Sequence, residues 1–147
     1  MIIAGTGHRD IRHKETVESM VARTFDEARP DAYIQGMADG FDLISAMMAI
    51  KLHIPVISAI PWPTHYKSTK QPDIYRWVLN HSEEVFPVTE VDDYPGPWVF
   101  HKRNQWMIDE GDKIMAWWDG RESGGTWAAI KYARKQKKPV RNIYATN

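Results

Sequence analysis

The sequence predicts an α/β domain of three layers on a mostly parallel sheet, and three observations carry that prediction. Short apolar or β-branched runs alternate with longer segments whose apolar residues recur every three or four positions. Glycine-bearing turns follow three of the short runs. The chain has 147 residues and 43% apolar content, a globular composition long enough for a hydrophobic core.

The elements follow in order. Met1 to Ala4 is a short strand entering a glycine-bearing loop. Lys14 to Ala28 is a helix, with Val17, Met20, Val21 and Phe25 at helical spacing, and Arg29-Pro30-Asp31 ends it. Ala32 to Gln35 is the second strand. Asp42 to Leu52 is nearly all apolar and reads as a buried helix. Ile54 to Ile60 is the third strand, rich in β-branched residues and closed by Pro61-Trp62-Pro63. The polar stretch Thr64 to Gln71 is an excursion over the sheet end. Pro72 to Asn80 is a helix and Glu84 to Thr89 a fourth strand. After the turn-rich 92–97 segment, Trp98 to Glu110 is a helix with Trp98, Phe100, His101, Trp106, Met107 and Ile108 available for packing. Lys113 to Trp118, Trp127 to Lys137 and Val140 to Tyr144 complete the pattern as strand, helix and strand. Strands separated by helices imply parallel βαβ units, so one Rossmann-like domain over residues 1–147 is expected.

Composition narrows the functions. Nineteen basic and nineteen acidic side chains give zero formal charge, which offers no basis for backbone binding of nucleic acid; nucleic acid is not expected as a partner. The cluster Arg134-Lys135-Gln136-Lys137-Lys138 reads instead as a helix end, where cations suit the dipole. The absence of cysteine removes disulfides, thiolate metal sites and a cysteine nucleophile. Six histidines show no HxxxH spacing, and no glycine loop carries a Walker lysine, so neither a metal nor P-loop hydrolysis is expected. No apolar run approaches the ~18 residues of a spanning helix. The N-terminus lacks signal-peptide features, and a cytoplasmic location with no membrane partner is expected. Seven tryptophans point to packing and to contacts between copies in a homo-oligomer.

Three glycine-bearing segments follow strands, where ligands of open α/β sheets bind. The last, Asp119-Gly120-Arg121-Glu122-Ser123-Gly124-Gly125-Thr126, opens a helix. Its backbone N–H groups suit an anion, and the Thr126 hydroxyl suits a phosphate oxygen. The alternative is a tight turn with Thr126 as N-cap. Asp119 either bonds a ribose hydroxyl or caps a turn, and Gly120 and Ser123 belong to the same segment. In the first, Gly5-Thr6-Gly7-His8-Arg9, the arginine grips phosphate or pairs with Asp10 or Asp42, and the histidine stacks on a base or carries a proton. In the second, Gly36-Met37-Ala38-Asp39-Gly40, Asp39 and Asp42 sit near a helix start, where capping accounts for one of them. Arg103 and Asn104 face phosphate and base, or form ordinary helix-surface contacts.

These segments together resemble the SLOG superfamily, in particular its small YpsA-like, often phage-encoded branch. The likeness rests on Thr6-Gly7-His8-Arg9, on Gly36 through Asp42, on Ile57 to Pro61, on Arg103 through Asp109, and on Ala116 through Gly120 with Gly124-Gly125-Thr126. It spans nearly the whole chain. The superfamily also holds the DNA-processing protein DprA and the cytokinin-activating phosphoribohydrolases. The resemblance implies a Rossmann-like fold that binds a nucleotide or a nucleotide-derived small molecule, with no required cofactor. It further implies a sensor or a phage sponge for a signalling nucleotide, in the host cytoplasm where a phage encodes it. It gives Asp42 a structural role and makes the segment Trp62 to Tyr66 a lid. The enzymatic alternative is N-glycosidic hydrolysis of a nucleoside monophosphate. The phosphoribohydrolases follow a longer glycine motif with a catalytic glutamate; here Gly124-Gly125-Thr126 leads into Trp127-Ala128-Ala129, and the glutamate is missing.

Overall fold

The computed structural model describes residues 1–145. Six strands, β1 (Ile2–Gly7), β2 (Ala32–Gln35), β3 (Val56–Ile60), β4 (Glu84–Pro87), β5 (Lys113–Trp117) and β6 (Val140–Asn142), form one all-parallel sheet. Its order is β4-β3-β2-β1-β5-β6. The chain winds outward from β1 to β4, then returns to the other side of β1 for β5 and β6. The order therefore reverses between β1 and β5, and a crevice opens beyond their carboxyl ends. The α/β, Rossmann-like fold is thus as expected from the sequence.

Five helices cover the sheet: α1 (Lys14–Ala28), α2 (Phe41–Lys51), α3 (Pro72–His81), α4 (Trp98–Glu110) and α5 (Gly124–Lys135). Alternation along the strands feeds both faces. Ile3, Tyr33, Val56 and Met115 join Val17, Val21, Phe25 and Leu43 under α1, α2 and α3. Ala4, Ile34, Ala59 and Ile114 meet Met107, Ile108, Ala129 and Ala133 of α4 and α5. Small alanines on this second face let its two helices lie close to the sheet.

A polar thread runs through the centre. Gln35, fully buried, donates from Nε2 to Ser58 Oγ (2.8 Å) and accepts from the Met37 backbone N–H (2.7 Å). Tyr33 Oη donates to Ser45 Oγ at 2.7 Å, and Ser45 Oγ donates to the Asp42 carbonyl at 3.0 Å. These bonds fix the strand ends against the start of α2.

Three departures from the expected pattern have consequences for the site. First, β1 runs on to Gly7, so the first glycine segment is strand rather than loop. β1 pairs with β2 only as far as Ala4↔Ile34, yet with β5 through Gly7↔Trp117. Its last three residues therefore border the crevice. Second, α5 begins at Gly124, so Gly124, Gly125 and Thr126 form its first turn and Ser123 takes the N-cap position, not Thr126. Third, α4 packs through Phe100, Trp106, Met107 and Ile108 as expected, but Trp98 is 50% exposed and His101 is exposed, while Val99, Arg103 and Asn104 are buried. The polar pair faces inward because the crevice lies there.

Candidate functional site

The crevice is a cavity of about 310 Å³. Gly5, Thr6 and Gly7 line it from the end of β1, His8 and Arg9 from just beyond it, Ala38 from the second segment, Arg103 and Asn104 from α4, and Ser123, Gly124, Gly125 and Thr126 from the start of α5. Five expected residues, Gly36, Met37, Asp39, Asp119 and Gly120, lie outside its wall. Asp10, Asp42, Met107 and Arg121 line it without having been expected there.

One wall is the first turn of α5. Gly124 holds φ +83, a backbone conformation that side chains rarely adopt, and a Cβ added at Gly124 or Gly125 would meet nothing within 4 Å. Ser123 makes no side-chain capping bond. The first N–H groups of a helix have no intrahelical acceptor, and with the helix dipole they present partial positive charge. This wall is open to an anion by construction.

The floor is charged and buried. Arg103 is 5% exposed; its Nη1 donates to the Gly36 carbonyl at 3.0 Å, and Nε and Nη2 donate to Asn104 Oδ1 at 3.2 and 3.1 Å. A Cβ on Gly36 would come within 2.8 Å of Arg103 Nε, so this glycine seats the guanidinium instead of touching a ligand. Asp42, equally buried, accepts from the Ala38 N–H at 3.2 Å. Burial pushes the Asp42 carboxyl up from its ordinary value, against the pull of the nearby Arg103 cation. Burial in turn lowers Arg103. Arg103 is thus not an exposed helix-surface residue; it lines the cavity from within. Together with Asp42 it fixes the second segment from beneath.

The rim carries the available cation. Arg9 is exposed, its guanidinium 5.7 Å from the Phe100 ring. Among the described residues it pairs with neither Asp10 nor Asp42. Asp10 is taken by Arg121, whose Nη2 lies 3.3 Å from Asp10 Oδ2. Arg121 also grips Asp119, with Nη2 to Oδ2 at 2.6 Å and the backbone N–H to Oδ1 at 3.0 Å. These bonds hold the Asp119 carboxyl well below the usual range. Asp119 Oδ1 also lies 3.1 Å from His8 Nε2, and its backbone N–H donates to the same nitrogen at 3.0 Å. Asp119 is thus consumed within the protein. Gly120, at φ +97, makes the turn that brings Arg121 back onto it. The signal for Arg121 was present as Asp119-x-Arg121 with a glycine between, but which carboxylate it would meet depends on where β1 ends.

The second segment and the lid are tied together. Asp39 accepts from Thr69 Oγ1 at 2.5 Å and from the Lys70 N–H at 3.1 Å, which fastens the 64–71 excursion to the sheet end. Met37 is fully buried at φ 61, its Sδ accepting from Gln35 Nε2. Trp62 is 7% exposed and packs against His65, Tyr94 and Phe100, while Tyr66 is 51% exposed. Neither ring lines the cavity. His65 lies beneath Trp62, its Nδ1 2.9 Å from Tyr75 Oη, and burial lowers its pKa to about 3.

Sheet order and site together define a Rossmann-like α/β domain with an anion-ready crevice at its switch point. No protein-family profile matches the chain. It is 37% identical over 94 residues to the SPbeta prophage-derived protein YoqJ of Bacillus subtilis (strain 168), a match covering 56% of this chain and 54% of that one. Among solved structures, DprA of Helicobacter pylori has a TM-score of 0.73 at 20% identity, over 95% of this chain and 63% of that one. DprA of Streptococcus pneumoniae has 0.75 at 16%, over 94% and 48%. TM1055 has 0.63 at 15%, over 95% and 71%. The chain thus spans about half the length of its prophage relative and of the pneumococcal DprA. At these identities the solved structures show a shared fold.

One expectation is corrected here. Zero formal charge was taken to argue against nucleic acid, yet the Helicobacter DprA that shares this fold is described by its single-stranded DNA binding mode. Net charge averages over the whole surface, whereas binding answers to local charge, and Arg9 at this cavity's mouth has no carboxylate partner among the described residues. Among the described residues no helix is long and apolar enough to cross a membrane.

Proposed function

We propose that this chain binds a nucleotide or nucleotide-derived small molecule in the cavity between β1 and β5, as a member of the YpsA-like branch of SLOG. One observation carries the proposal: the first turn of α5 has an uncapped start and glycines with nothing packed on them, and it faces Thr6 and Arg9 across the cavity. A phosphate accepts from the α5 N–H groups and the Thr126 hydroxyl, while Arg9 swings in from the rim. Likeness to a prophage-derived protein supports a sensor or sponge for a signalling nucleotide.

Isothermal titration with AMP, ADP and cyclic nucleotides tests this. Saturable heats that vanish in Gly125→Asp, with thermal stability unchanged, are expected. Absence of heats across the panel would sink it.

A hydrolytic reading has one observation in its favour. Asp42, a buried carboxyl raised by its surroundings, lines the cavity although the glutamate of the phosphoribohydrolase motif is missing. Release of free base from a nucleoside monophosphate, lost in Asp42→Asn, would establish it; intact recovery of the nucleotide would dismiss it.

A further inference from the structure

A second cavity, about 350 Å³, lies beside the first and shares His8, Asp10 and Arg121 with it. Its character differs. Trp117 and Tyr144 stand in its wall with ring centroids 5.0 Å apart. Trp117 is held rigidly, stacked on its other side by Phe41 at 6.5 Å and 16°. Tyr144 is 39% exposed and free to receive a flat ring. The first cavity offers N–H groups and hydroxyls; the second offers aromatic faces.

The partition between them is one side chain and its partners. Arg121, 44% exposed, spans from Asp10 to Asp119. The arm to Asp10, exposed and at 3.3 Å, is the weaker of the two, and a competing anion can take its place while Asp119 keeps its hold. A guanidinium grips phosphate oxygens in the same bidentate way that it grips carboxylate. Each cavity alone sits near the small end of ligand sites, roughly 300–1,000 Å³, whereas the two joined fall well inside that range.

We infer that the two cavities form one bipartite site for a ligand made of two nucleoside halves joined through phosphate. One half lies along the α5 start and the other against Tyr144. Arg121 turns from Asp10 to the linking phosphate and keeps Asp119. This rests on the nucleotide-binding reading of the first cavity and extends it.

Titration of the full chain with AMP, diadenosine diphosphate and the dinucleotide pdApdA tests the inference. At least one two-nucleoside probe is expected to bind about tenfold or more tighter than AMP, since a second tethered contact adds without a second association cost. Tyr144→Ala, which lies outside the first cavity, should remove that gain and leave AMP affinity unchanged, and Arg121→Gln should remove the gain as well. Whichever probe shows the gain distinguishes a free dinucleotide from successive nucleotides of a single strand. Equal affinity for all three probes, or a gain that survives both substitutions, overturns the bipartite site while sparing the nucleotide reading. If AMP and both larger probes all fail to bind, the nucleotide reading falls and this inference with it.

Discussion

Two glycine-rich segments border the same cavity and serve opposite ends. At the close of β1, Gly5 and Gly7 are glycines because the core leaves no room: a Cβ would come within 1.8 Å of Tyr33 Oη at Gly5 and 2.4 Å of Phe41 Cγ at Gly7. At the start of α5, Gly124 and Gly125 have nothing within 4 Å of an added Cβ. The first pair lets helix α2 and strand β2 press onto β1; the second leaves backbone exposed to a ligand. Glycine at a strand end therefore has two physical meanings, and packing alone separates them.

The contrast breaks most visibly at Gly5→Ala. Tyr33 is fully buried and hydrogen-bonded to Ser45, so it has nowhere to retreat. A loss of about 3 kcal/mol, the upper end for overpacking, is expected in chemical denaturation. A loss below ~0.5 kcal/mol would show that β1 shifts freely and that its glycines are not packing residues.

A similar loss should come from acid, again on the packed side. His65 holds a pKa of about 3 when folded, against an ordinary value of 6.5. Its protonation therefore favours the unfolded chain. The stability is fully present above pH 6.5 and declines as pH falls toward about 3. A loss on the order of 3 kcal/mol across that window is expected, and His65→Gln should flatten it. An unchanged slope in the variant would place the acid sensitivity elsewhere.

On the open side the effects are smaller. Gly124→Ala meets no clash but must adopt φ +83, at a cost of about 1 kcal/mol. Gly125→Ala carries neither penalty. It should raise the melting temperature slightly, by about 0.5 kcal/mol equivalent, because alanine loses less backbone freedom in a helix. The same substitution should weaken nucleotide binding by narrowing the approach to the α5 N–H groups. Unchanged affinity would remove Gly125 from the site.

Much of the architecture was legible because periodicity reports burial directly. The apolar positions of Lys14 to Ala28 marked α1 with its observed bounds, and the helix over Trp98 to Glu110 also kept its limits. Its facing was legible only in part. Met107 and Ile108 pack as expected and Arg103, open between site and surface, lies inward at the cavity, but Trp98, read as core, is half exposed. Likewise Asp39 reads as a ligand contact or a cap and Asp119 as a ribose contact or a turn cap, and their side-chain partners are not visible locally. Their partners, Thr69 and Arg121, come from segments whose course depends on the fold.

By itself, then, the sequence determined the alternation of strands and helices, the parallel sheet, and three glycine-bearing segments at strand ends. These follow from local propensity and from side-chain period, which neighbouring residues suffice to set. Only the tertiary structure decided which glycines serve packing and which serve access, which arginine stands at the cavity mouth, and which carboxylates are already taken. Those are properties of residues far apart in the chain, such as His8 and Asp119, brought within 3.1 Å by the sheet order.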